Sequence, residues 1–138
     1  MNGKMLVDTC LLFYLVDKTD AKKHDKTRGF FLSFKQKENL FASTQNLREF
    51  SSVAWKKSGL QASEINETIE VFFNSFGIVS DKQEDITTAN LLVESNRKNF
   101  WDALLVATAQ RNGISTILTE NARHFEKFKR IKAINPLQ

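Results

Sequence analysis

Short apolar runs alternate with amphipathic helical stretches along the whole chain. That alternation predicts an α/β fold, a three-layer α/β/α sandwich around a central parallel sheet. Two further observations narrow it. With 138 residues there is material for one sizeable core and not for two, so residues 1–138 read as a single domain. The stretch 103–107 (Ala-Leu-Leu-Val-Ala) is apolar on every side, as a deeply buried helix must be.

The elements follow in order. Met5-Leu6-Val7 reads as a first strand, Asp8-Thr9 as a polar corner, and residues 10–16 as the helix leaving it. Residues 18–26 are polar, a loop or the lead into a helix, and Phe30, Phe31 and Phe34 mark a second helix up to about Lys37. Leu40-Phe41-Ala42 is a brief strand, after which Ser43 or Thr44 caps a helix with Leu47, Phe50, Val53 and Ala54 on one face; Ser58-Gly59 ends it. Ser63 starts the next helix, with Ile65, Ile69, Phe72, Phe73 and Phe76 on its apolar side and Gly77 as its stop. Ile78-Val79 is a strand, and the helix from about Lys82 to Asn96 carries Ile86, Ala89, Leu92 and Val93. The apolar helix runs over 102–112 and closes at Gly113, and residues 115–118 and 131–134 supply the last strands.

Composition removes several function classes. One Pro, five Gly and 41% hydrophobic residues exclude collagen-like and disordered chains. The longest apolar run, residues 10–16, is far short of the roughly 20 residues of a membrane helix, so a cytoplasmic protein away from membranes is expected. A single cysteine forms no internal disulfide, and Cys10 with His24 and His124 is too small a set for structural zinc. The glycines are isolated, so no phosphate-cradling loop exists. The Asp8-Thr9 corner also lacks the second Asp of an aspartyl-phosphatase loop. Net charge +4 suits a polyanion and is common in ordinary proteins as well.

Ligands of open parallel α/β folds bind beyond the carboxyl ends of the strands, which directs attention to the strand-to-helix corners. Asp8 follows the first strand, where it also suits an N-cap. Thr119-Glu120-Asn121 follows the strand at 115–118, where a simple turn is an equal reading. Asp102 opens the most apolar helix, in a first turn where an unpaired carboxylate is costly, although a capping role also fits. Glu49 lies one and a half turns into its helix among mainly polar neighbours, so a solvated face accounts for it unless it leans over the same edge. Converging carboxylates repel and call for raised pKa values or a bound cation, and hard oxygen ligands favour Mg²⁺ or Mn²⁺.

Four segments together resemble a PIN domain in their order and spacing: Val7-Asp8-Thr9; Gln45-Asn46-Leu47-Arg48-Glu49-Phe50; residues 101–107; and residues 118–125. The resemblance covers essentially the whole chain, through Ile134-Asn135-Pro136. It implies a PIN-like sandwich in which Asp8, Glu49 and Asp102 hold Mg²⁺ or Mn²⁺ at the carboxyl edge of the sheet. The implied activity is endoribonuclease hydrolysis of RNA phosphodiesters by a metal-activated water. Asn121 falls at the family's fourth catalytic position, often Asp, while Thr9, Thr119 and Glu120 are placed to orient water or ligands. The small size resembles the toxin of a VapBC toxin–antitoxin pair, which implies an antitoxin partner and a homodimer. The alternative is a catalytically silent PIN fold that binds RNA or protein, motivated by Asn121 in place of an acid.

RNA would need positive charge near this acidic set. Arg48, Arg123, His124 and Lys127 are the candidates, with residues 123–132 holding five Lys or Arg against one Glu; a solvated helix face is the plain alternative. Lys22, Lys23, Lys26 and Arg28 form a second basic cluster with the same two readings. The Phe-rich second helix offers a groove for an antitoxin peptide.

Overall fold

The computed structural model describes residues 3–97 and 99–138. Five strands form one parallel sheet in the order β3-β2-β1-β4-β5: β1 Met5–Val7, β2 Leu40–Ser43, β3 Gly77–Val79, β4 Thr116–Leu118 and β5 Lys132–Ile134. The chain builds β1, β2 and β3 toward one edge, then returns to lay β4 on the other side of β1. The reversal leaves a crevice beyond the carboxyl ends of β1 and β4, the place where such sheets bind ligands.

Six helices cover the two faces. On one side lie α1 (Thr9–Val16), α2 (Ala21–Ser33), α3 (Thr44–Lys57) and α4 (Ala62–Ser75), packed over Met5, Val7, Leu40 and Ala42. On the other, α5 (Gln83–Asn96) and α6 (Phe100–Arg111) pack over Leu6 and Ile117. The side chains of β1 alternate between these two cores, as a strand covered on both faces requires. Residues 103–109 of α6 are all buried, as the apolar stretch predicts. No helix among the described residues is long and apolar enough to cross a membrane.

Several boundaries differ from the sequence expectation, each for a visible reason. The second helix begins at Ala21, because the Asp20 carboxylate accepts from Lys23 N, and it stops before Phe34, where Lys37 Nζ donates to the carbonyls of Phe31 and Phe34. The fourth helix starts at Ala62, one residue before Ser63, with Glu64 accepting from Gln61 N. Gly77 opens β3 and does not stop α4; a Cβ there would stand 2.5 Å from Phe41 Cε1, so the strand passes an aromatic ring that only glycine clears. Asp102 does not cap α6: Asn99 does, its side chain accepting from Trp101 N and Asp102 N. On α5 the buried face holds Asp85 and Ala89, and Ile86 is exposed. Phe73 is likewise exposed on α4, whereas Phe72 and Phe76 are core residues. The basic stretch after β4 is no continuous helix: a 3-10 turn over Ala122–Phe125 gives way to irregular chain before β5.

Candidate active site

Asp8 sits at the crevice beside the carboxyl end of β1. Its carboxylate caps α1, with Thr9 N donating to Oδ1 at 2.8 Å, while Thr119 Oγ1 from the end of β4 donates to Oδ2, also at 2.8 Å. Capping and site geometry are therefore compatible. Asn46 Nδ2 adds a longer contact to Oδ1 (3.4 Å) and one to Thr9 Oγ1 (3.2 Å). Asn46 is itself held at the start of α3, where its amide oxygen and main-chain N–H close a capping box with Ser43. Burial pushes the Asp8 carboxyl pKa up, against the opposing effects of the Thr119 and Thr9 hydrogen bonds and of nearby His124. These three donors to Asp8, a main-chain N–H, a hydroxyl and a side-chain amide, are neutral groups.

Glu49 and Asp102 both line a cleft of about 830 Å³, with Gln45, Arg48, Trp101 and His124 also on its walls. Gln45 Nε2 donates to Glu49 Oε1 and to the main-chain oxygen of Trp101, both at 3.0 Å, tying α3 to the first turn of α6. The Glu49 side chain is exposed at the rim, yet its carboxyl pKa is raised, first by partial desolvation and then by the negative charges of Asp8 and Asp102, with the Gln45 hydrogen bond opposing. Glu49 thus leans over the same edge as the two aspartates and is not part of a separate solvated face. His124 Nδ1 lies 3.9 Å from Asp102 Oδ2.

The other candidates divide. Thr9 and Thr119 are buried beside Asp8, where Thr119 Oγ1 also accepts from Asn121 N. Asn121 is exposed and lines a neighbouring recess with Arg123, Asn135 and His124, outside the walls of the main cleft. Both oxygens of Glu120 are engaged, one by Tyr14 Oη and the other by Lys23 Nζ at 3.0 Å, so this side chain braces the loop to α1 and α2. Lys23 of the second basic cluster is thereby accounted for, and Lys26 Nζ donates to Leu137 O. Arg48 is largely exposed, 3.8 Å from Asp81, while Arg123 and Lys127 are exposed on the post-β4 segment. Sequence reasoning missed Gln45, Asn46 and Trp101 as parts of the site; the one available signal was the Ser-x-x-Asn capping pattern at Ser43 and Asn46.

The donor set is chemically suited to a hard divalent cation: three carboxylates, two of them with raised proton affinity, converge on one sheet edge. The buried Oε1 of Gln45 adds an oxygen that has no hydrogen-bond partner. Among the described residues no three Asp, Glu, His or Cys side chains already surround a common point.

A three-layer sandwich with an acidic crevice at the topological switch of a parallel sheet describes a class of fold and site. Within that class, the PIN domain family matches residues 5–132, and the chain belongs to it. Solved structures agree on the fold. The Sarcin-Ricin loop cleaving toxin VapC20 of Mycobacterium tuberculosis is 16% identical with TM-score 0.73, covering 94% of this chain and 99% of that one. A toxin–antitoxin complex from Klebsiella pneumoniae gives 17% identity and TM-score 0.70 over 96% and 98%. DNA-bound VapBC from Salmonella typhimurium gives 18% and 0.70 over 97% and 98%. No curated protein matches the chain by sequence.

Proposed function

We propose that this protein is a divalent-metal-dependent endoribonuclease, the toxin of a VapBC-type pair, acting in the cytoplasm. The observation that carries the reading is the convergence of Asp8, Glu49 and Asp102, in which the charges of both aspartates raise the proton affinity of Glu49. Asp8, Glu49 and Asp102 would hold Mg²⁺ or Mn²⁺. When bound, such an ion supplies an acidified water and offsets the charge of a phosphodiester. The chain's own residues do the positioning. Thr119 and the Thr9 amide keep both Asp8 oxygens aimed, Gln45 sets the Glu49 carboxylate, and Thr9 is held by Asn46. His124, beside Asp102, stands where a phosphate or leaving group would meet a proton donor. Arg48, Arg123 and Lys127 are the residues proposed to attract RNA, and Asn121 is proposed to approach the site through the Thr119 hydroxyl.

The test is cleavage of a mixed structured-RNA pool with Mg²⁺, Mn²⁺ or EDTA beside Asp102→Asn. Metal-dependent cutting that the variant lacks is the expected result; equal cutting by the variant sinks the assignment. The silent-module reading draws on two features: Asn121 replaces an acid, and no three ligating side chains enclose a point among the described residues. Calorimetric titration with Mn²⁺ separates the two, because a silent module binds RNA and takes up no metal.

The antitoxin reading is supported by a second groove of about 510 Å³ between α1, α2 and α4. Its floor is apolar, with Leu15, Phe31, Val71 and Phe72, and Lys18, Arg28 and Lys37 stand on its walls, none of the described lining residues being acidic. That combination fits an acidic amphipathic segment of a partner. The expected outcome is that an acidic helical peptide binds with strong salt dependence and loses affinity in Arg28→Glu. A homodimer is proposed from the family resemblance and is checked by light scattering on the purified chain.

A further inference from the structure

The acidic cleft contains a large aromatic surface that metal binding does not use. Trp101 immediately precedes Asp102 in the first turn of α6 and is 60% exposed, although it lines the cleft. Its mounting is firm. The indole meets Phe100 edge to face with centroids 5.3 Å apart, and Phe100 packs against the α5–α6 core. Its main-chain carbonyl accepts from Gln45 Nε2, the same nitrogen that holds Glu49. The backbone that carries this exposed indole is thus tied through one amide to a carboxylate of the site. Two guanidinium groups share the walls: Arg48 on α3, and Arg97, which ends α5 in the left-handed region at φ 54°.

We propose that Trp101 is a stacking platform for one unpaired nucleobase, with Arg48 and Arg97 on the flanking phosphates, so that the cleft accepts single-stranded RNA and rejects duplex. This rests on the nuclease reading for the identity of the ligand as RNA. The physical reason for the selectivity is that a paired base already has both faces covered by its neighbours, whereas an unpaired base offers a free π-face. An arginine pair supplies charge that does not titrate and tracks the strand without reading its sequence. Stacking tolerates every base, so the platform selects strand state more than sequence.

The experiment measures binding in EDTA, where no metal-dependent cutting interferes. The chain has two tryptophans, so Trp55→Phe leaves Trp101 as its indole reporter. A single strand of about ten nucleotides is titrated against the fluorescence, and then the same strand annealed to its complement. Expected are saturable quenching by the single strand and roughly tenfold weaker binding of the duplex; with the strand itself dye-labelled and binding followed by its anisotropy, a loss of about tenfold or more is expected in Trp101→Ala that Trp101→Phe largely restores. Equal binding of duplex and single strand, or wild-type affinity in Trp101→Ala, overturns the platform. The two readings fail separately. A protein that quenches and never cuts overturns the nuclease and keeps the platform; one that cuts while Trp101→Ala binds as before overturns the platform alone.

Discussion

At the end of α6, Arg111 Nε donates to both oxygens of Asp85 at 2.9 Å, and Lys82 N caps the same carboxylate at 2.8 Å. Asp85 is only 2% exposed, and its charge is met by a guanidinium that also donates to Ser80 O. At the start of the same helix, some 15 Å away by helical rise, Asp102 stands with Asp8 and Glu49, and Asp8 is supported by a main-chain N–H, a hydroxyl and an amide. The contrast separates a carboxylate held in a buried ion pair from carboxylates that share a sheet edge. The fold meets a buried acid with a guanidinium at one end of α6, and at the other it gathers acids whose charges raise the proton affinity of Glu49, the arrangement proposed above to recruit a cation.

The largest effect that would break this contrast is on chemistry. Asp102→Asn and Asp8→Ala are expected to lower metal-dependent RNA cleavage by on the order of 100-fold or more with the circular-dichroism spectrum unchanged. Retained cleavage in both would place the chemistry elsewhere. Next comes stability at the opposite end. Arg111→Met leaves Asp85 buried without its cation, and the melting temperature is expected to fall by several degrees while the residual folded protein still cleaves.

A smaller effect of opposite sign sharpens the comparison. Ionised Asp8 opposes folding because its pKa is raised in the folded state, so the metal-free protein gains stability as pH falls through that pKa and loses it as pH rises. Asp8→Asn keeps Oδ1 for Thr9 N and removes the charge, and is expected to stabilise the metal-free fold by about 1 kcal/mol and flatten that pH profile. Mn²⁺ is expected to raise the melting temperature of wild type and not of this variant; a metal response in Asp8→Asn would remove Asp8 from the ligand set. The smallest effect is at Cys10, whose thiol is pushed up to about 11 by burial and then by Asp8. Alkylation at pH 8 should be far slower than for a free thiol and should quicken in Asp8→Asn.

Much of the fold was legible because its signals are local. Strand β1, the Asp8 corner and the buried helix α6 follow from apolar runs and polar punctuation that neighbours in sequence supply. The misplacements came where a distant side chain decided. Gly77 looks like a helix stop until Phe41 is beside it, and Ile86 looks like a core residue until Arg111 draws Asp85 inward. Glu49 had no periodicity to recommend it; its candidacy came from the family resemblance.

The sequence by itself determined the layer architecture, the parallel strand pattern and the identity of the acids at the corners, because periodicity and residue chemistry are carried within each segment. Only the tertiary structure decided that Glu49 shares a cleft with Asp102, that Glu120 braces Tyr14 and Lys23, and that Trp101 faces solvent beside them. Those relations depend on the return of the chain from β3 to β4, which brings residues more than fifty positions apart to one sheet edge. No local pattern encodes a distance across that crossing.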